Sequence, residues 1–213
     1  MNSDMFRNIP KPEPLVIVIS GPSGVGKDSV LNDIFAYGVD LHFVVTMTSR
    51  PQRSGEVNGR DYIFVTKDEF ERMIAAGEFV EYALVYDQYK GVPKNQITGA
   101  LASGKDVVLR LDVQGAIAIK KMFPDAVTIF LVPDSEESLV MRLKQRGTET
   151  EKQLRIRLET ARKEMERLHE FNYVVENGQE RLHKAVCRVL DIVRVEKMPG
   201  FSAAKDRLAI PHQ

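Results

Sequence analysis

Cysteine is almost missing from this sequence: Cys187 is the single one in 213 residues. An intramolecular disulfide is excluded, and the composition fits a reducing compartment. The stretch "VCRVLDIV" sets Cys187 on an apolar helical stripe, where it reads as a small core hydrophobe with no base evidently paired to it. A charge excess is also missing. Lys plus Arg and Asp plus Glu stand at 30 each, so net charge gives no drive toward nucleic acid or membrane surfaces, and any phosphate-binding cluster has to be local. No apolar run approaches the roughly 18 residues that a membrane span needs. The opening "MNSDMFRNIPKPEP" has no apolar core of the signal-peptide kind and reads as a loose leader, with "MPGFSAAKDRLAIPHQ" a similar tail. A cytoplasmic setting is the expectation. No internal repeat or low-complexity segment is evident.

What is present is the material of an ordinary globular protein, 43% hydrophobic and 28% charged, long enough for one sizeable core with small inserted subdomains. Residues 15–19 form a short all-apolar run stopped by Ser20-Gly21, the pattern of a buried parallel strand. Residues 28–37 then carry Val30, Leu31, Ile34 and Phe35 at helical spacing, ended by Gly38. "DVVLRLDV", "AVTIFLV" and "FNYVVENG" are further strands, each followed by a helical stretch. This alternation argues for an α/β fold with a parallel sheet covered on both faces. Residues 41 to 95 break the rhythm and read as a small mixed insertion. Residues 135 to 168 are strongly charged, and by themselves read as a solvated helical face with glutamate–arginine pairs.

The first strand runs into "GPSGVGKDS", the spacing of a phosphate-binding loop between a buried strand and a helix. Glycines allow close backbone approach to phosphates, and the loop amides with the helix N-terminus face the negative charge. Gly21, Pro22, Ser23, Gly24, Val25, Gly26, Lys27, Asp28 and Ser29 are the candidate phosphate-binding residues, with Lys27 reaching the outer phosphates. The pattern asks for Ser or Thr after the lysine, and Asp28 stands there with Ser29 one place late. Two readings fit Asp28. It favours the helix dipole while Ser29 supplies the hydroxyl, or its carboxylate holds a magnesium ion directly or through water at the cost of repelling phosphate.

Downstream, "TMTSRPQRSGEVNGRDYIFV", "GEFVEYA", "LDVQGA" and "RGTETEKQLRIRL" follow one another in order. Together with the loop they closely resemble the guanylate kinases, over about residues 15 to 195. The resemblance implies a five-stranded parallel P-loop core (residues 1–40, 96–134 and 164–213), a mixed α+β acceptor-binding subdomain (41–95) and a helical lid (135–163). It implies transfer of a phosphoryl group from ATP to GMP or dGMP, with Mg2+. Arg50 and Arg53 resemble the acceptor-phosphate clamp, a role that suits planar guanidiniums, with Glu56 and Tyr62 beside them. Glu81 resembles the guanine reader, because one carboxylate can accept from guanine N1–H and its exocyclic amine whereas adenine leaves that acceptor unpaired. Taken alone, Glu81 reads as an exposed strand residue. Thr46 is implied as a second base contact. Asp112, at the end of "VVLRLD", resembles the acid that organises magnesium through water, with an ion pair to Lys27 or Arg50 as the other reading. Arg142, Arg146 and Arg157 resemble lid arginines that neutralise charge on the transferred group. Asn177 matches an adenine-contacting position. The partners implied are small nucleotides only, on a monomer or homodimer.

Three places depart from the family pattern. Asp28 is the first. In "YDQYKGVPK", Lys90 and Val92 replace a tyrosine and a hydroxyl residue; Lys90 still suits a phosphate as a point charge, and Val92 offers no base contact. Arg110 stands where many relatives carry an acid, and either contacts substrate or pairs with Glu81 or Asp112. Two other functions compete with a nucleotide kinase. A P-loop kinase acting on a sugar phosphate such as a ribose bisphosphate would have no use for Glu81 with Thr46. A non-catalytic binding module would be expected to lack an intact loop and lid.

Overall fold

A computed structural model describes residues 12–85, 87–145, 151–178 and 181–198. Residues 1–11 of the expected leader, the tail beyond residue 198 and Arg146 lie outside the described residues. The core is a five-stranded parallel sheet in the order β2-β7-β1-β8-β9. Its strands are β1 Val16–Ser20, β2 Leu41–Phe43, β7 Asp106–Arg110, β8 Val127–Val132 and β9 Tyr173–Glu176. The run of apolar residues in β1 has a simple cause. Successive side chains of a strand point to opposite faces. Ile17 and Ile19 join one buried cluster, formed with α1 (Lys27–Ala36) and α7 (Leu182–Glu196). Val16 and Val18 join a second cluster on the other face, formed with α3 (Lys94–Ala102) and α4 (Val113–Met122). A strand covered on both faces cannot alternate apolar with polar residues.

A second sheet, β4-β3-β6-β5, stands beside the core. Its strands are β3 Met47–Thr48, β4 Ile63–Phe64, β5 Phe79–Val85 and β6 Gln88–Pro93. Helix α2 (Lys67–Ala75) packs on it through Phe70, whose ring stacks on Phe79 and Tyr89 with centroids 4.3 and 5.1 Å apart. Thr66 caps α2 by accepting from the Glu69 amide. The strands of this mixed sheet all lie between residues 47 and 93. Strand β2 lies at the edge of the core sheet, paired with β7. Three residues of intermediate burial carry too little periodicity to separate a core edge from an insert.

Helices α5 (Glu136–Gln145) and α6 (Glu151–Met165) form a small pair held by Leu139, Leu143 and Ala161. Helix α6 runs through residues 163–164, the expected end of the lid. No helix among the described residues is long and apolar enough to cross a membrane. Cys187 is only half-buried, and the ring of His183, one helical turn earlier, lies 3.6 Å from its sulfur. The expectation of an unpaired core thiol is corrected accordingly: the apolar stripe of α7 runs through Val186, Val189, Leu190 and Val193, and Cys187 sits at its margin.

Candidate active site

The carboxyl ends of β1, β7, β8 and β9 lie in register, and open α/β sheets bind ligands at that edge. From β1 the chain turns through Gly21, Gly24 and Gly26 at φ 137°, 89° and 99°. Side chains tolerate such values poorly, and the space is closed as well. A Cβ on Gly21 would stand 2.4 Å from the Leu131 carbonyl oxygen, and one on Gly26 would stand 2.6 Å from the Asn177 amide nitrogen. Lys27 opens α1, its Nζ donating to the carbonyls of Gly21 (2.6 Å) and Pro22 (3.2 Å). The lysine therefore curls over the loop it belongs to.

The loop is braced from behind. Asn177 is 3% exposed, and its amide donates to the Val25 carbonyl at 2.8 Å. Arg142, on α5, donates to that same carbonyl at 2.9 Å and to the Asn177 carbonyl at 2.8 Å. Arg157, on α6, donates to the Ser23 hydroxyl at 3.2 Å. Two of the arginines expected in the lid thus already touch the phosphate loop.

Across the cleft, Arg50 lies behind the Tyr62 ring that lines it. Its guanidinium is held in two places by the Glu56 carboxylate, with Nη1 to Oε2 at 2.7 Å and Nη2 to Oε1, and it lies 4.9 Å from the centre of the Tyr62 ring. The Arg53 amide also donates to Glu56, at 2.8 Å. The Arg50 bonds first, then the Arg53 amide, hold the Glu56 carboxyl down at about 2. Glu56 is therefore ionised at any working pH and fixes the guanidinium. Lys90, on β6, lies 6.0 Å from the Tyr62 ring. Burial lowers its ammonium from the usual range, and the charges of Arg50 and Arg53 push the same way. Such an excess of cations is relieved by an anion.

Glu81, on β5, reaches toward α4. A Cβ on Gly115 would lie 3.0 Å from Glu81 Oε1, so the glycine makes room for the carboxylate. Burial, helped by the charge of Asp112, pushes the Glu81 carboxyl up to about 7. Asp112 caps α4, accepting from the Gly115 amide at 2.8 Å. Thr46, Tyr62, Glu81, Lys90 and Asp112 line one open cleft of about 550 Å³ with Ser23, Lys27 and Asp28 of the loop. That volume is in the range of nucleotide-sized ligand sites. Arg53 and Ser29 are exposed nearby in sequence.

Three features of the site escaped the sequence reading. Arg110 does not pair with Glu81 or Asp112; its guanidinium bonds the Asp28 carboxylate across the cleft wall. The partners are 82 residues apart, and only the packing of β7 beside β1 brings them together. The second is Gly115, just described. The third is Glu164, on α6. It lines the same cleft, and its Oε2 is buried without a hydrogen-bond partner among the described residues. Burial pushes its carboxyl up, against the pull of Lys27 and the Ser23 amide. Glu164 lies seven residues after Arg157, two turns along the same helical face, and that spacing was the available signal.

Comparison with known proteins agrees with this geometry. The family model described as guanylate kinase matches residues 13–196. Guanylate kinase 2, chloroplastic/mitochondrial, of Oryza sativa subsp. japonica is 51% identical over 189 residues, which cover 88% of this chain and 66% of the rice protein. Guanylate kinase of Oceanobacillus iheyensis is 40% identical over 195 residues, 92% of this chain and 94% of that one. The crystal structure of guanylate kinase from Anaplasma phagocytophilum superposes with a TM-score of 0.72 at 30% identity, covering 89% of both chains. A phosphate loop at the sheet edge, a clamped arginine across the cleft and a match spanning both put this chain in the guanylate kinase family.

Proposed function

We propose that the protein transfers the γ-phosphoryl group of ATP to GMP, or dGMP, giving ADP and GDP, or dGDP. The observation that carries this reading is the pairing, in one cleft, of a phosphate loop with a half-buried carboxylate, Glu81, with Lys90 and Tyr62 in the same lining. The loop amides and Lys27 take the donor phosphates. Arg50, Arg53, Tyr62 and Lys90 take the acceptor phosphate, and Glu81 with Thr46 takes the base. An oxygen of the GMP phosphate attacks the γ-phosphorus as its bond to the bridging β–γ oxygen breaks, and ADP leaves with that oxygen. Both phosphates are ionised, so no protein base is required, and positioning with charge neutralisation carries the rate. Arg142, Arg146 and Arg157 supply the neutralising charge, and Asn177 braces the donor site.

Magnesium is part of the proposal. The described residues hold no group of three or more metal-ligating side chains, which suits an ion that keeps its waters and is bound by phosphates and one or two carboxylates. Asp112 and Ser29 would hold it through water, with the unpartnered Glu164 Oε2 a further acceptor. When bound, the ion shields the charge of the donor phosphates. Asp28 is committed to Arg110 and is a poorer candidate. A cytoplasmic setting belongs to the same proposal, supported by the lone cysteine. The test is phosphorus NMR of ATP with GMP. Formation of GDP and ADP in equal amounts, lost when magnesium is omitted, is expected. Release of inorganic phosphate with no GDP would refute it.

A further inference from the structure

Asp28 and Arg110 each depart from the expected pattern of the site, and the fold joins them to each other. Asp28 lies in the first turn of α1, directly after Lys27, and its carboxylate lines the donor end of the cleft. An acid there gains from the helix N-terminus but repels the phosphates that the same N-terminus attracts. Arg110 ends β7, the strand beside β1, with Ile19 its register partner. Its guanidinium bonds Asp28 Oδ1. The Arg110 side chain is 26% exposed and lies 5.9 Å from the centre of the Phe43 ring, so its cation is held against the sheet edge.

We propose that Arg110 is a positioning residue for the donor site: it neutralises the Asp28 carboxylate and holds it toward β7, which lets the phosphate loop accept a polyphosphate despite an acid beside Lys27. The two residues act as one unit, and the acid opposes phosphate binding only when the arginine is lost. This rests on reading the loop as the donor-phosphate site. Arg110 without Asp28 leaves a partly buried cation facing the cleft, which attracts phosphate. Asp28 without Arg110 leaves a free carboxylate beside it, which repels phosphate. The two single losses therefore act in opposite directions on phosphate affinity, which a purely structural ion pair does not do.

The experiment is calorimetric binding of ADP, with and without magnesium, to the wild type, Arg110→Ala, Asp28→Ser and the double variant, with a melting temperature for each. Arg110→Ala is expected to weaken ADP about tenfold, a coupling usual for residues in contact. The deficit should shrink as salt screens the freed carboxylate. Asp28→Ser should bind ADP at least as tightly as wild type, and the double variant should return to within about threefold of wild type. The proposal is overturned if Arg110→Ala binds within threefold of wild type, or if the double variant is no better than Arg110→Ala. Should Arg110→Ala fail to fold, Arg110→Gln keeps the length and a donor while removing the charge, and the same outcomes apply. Lys27→Met separates the two levels of the reading. Lost ADP binding there with unchanged binding in the Arg110 variants sinks the pair alone, whereas unchanged binding in Lys27→Met sinks the donor site itself.

Discussion

Replacing Glu81 with Gln should weaken GMP binding by a hundredfold or more at pH 8, and should remove a pH dependence that the wild type shows. Guanine offers two adjacent donors, and a carboxylate accepts both. A glutamine keeps one acceptor and turns its NH2 against the other donor. The change loses one charge-assisted bond, about 1.5–3 kcal/mol, and leaves a buried donor unmet, a further 1–3 kcal/mol. A loss of about 3 kcal/mol corresponds to roughly two powers of ten in affinity. The pH arm follows from burial, which sets the free carboxyl at about 7. Only the ionised form binds guanine, so affinity should rise with pH through 7 and level off near 8. At pH 6 about one molecule in ten is ionised, and affinity should be about tenfold below the plateau. The GMP phosphate titrates near 6 in both proteins, so the difference between wild type and Glu81→Gln isolates the carboxyl. Titration calorimetry at pH 6, 7 and 8 measures both arms. Equal GMP affinity of the two proteins at pH 8, or parallel pH profiles, would refute the assignment of Glu81.

Further outcomes follow from the same geometry. An acid whose folded value lies above its unfolded one costs stability as pH rises between the two, so Glu81→Gln should melt higher at pH 8 and unchanged at pH 4.5. Because Glu81 is partly solvated, the gain should be about 1 kcal/mol, or about 2–4 °C; scanning calorimetry at both pH values checks it. Glu56→Gln should raise the KM for GMP about tenfold and leave that for ATP within twofold, since the guanidinium loses its charged, two-point support. Gly115→Ala should raise the KM for GMP severalfold with little change in melting temperature, because its Cβ displaces the tip of the Glu81 side chain. Asn177→Ala should raise the KM for ATP, not that for GMP, and cost about 0.5–1.5 kcal/mol in stability, since the Val25 carbonyl loses one of two donors and keeps the bond from Arg142; steady-state kinetics and denaturant melts would show both.

Features carried by contiguous residues are legible in the sequence. The buried strand, the glycines and Lys27 lie within a dozen residues, and their roles follow from local backbone needs. Arg50, Glu56 and Tyr62 are close in sequence and also meet in space. Legibility ended where the fold brings distant residues together. Nothing near Asp28 hints at Arg110, because their contact depends on β7 lying beside β1. Glu81 read alone as a surface strand residue, and only the turn of α4 at Gly115 gives it a pocket. Glu164 was hidden in a charged helix whose exposed residues look much like it, since α6 shows a narrow buried face with Ala161 as its one buried residue. Edge strand β2 is not separable from the insertion by sequence, because three half-buried residues carry no periodic signal.

The central claim is that this cleft selects guanine through a half-buried carboxylate while a phosphate loop holds the donor. Its most direct test is the ratio of kcat/KM for GMP to that for AMP in the wild-type enzyme, followed by ADP release. A site that leaves its acceptor unpaired with the wrong base discriminates by about 10⁴ or more, and a ratio of that order is expected. Comparable turnover of AMP and GMP would contradict the account.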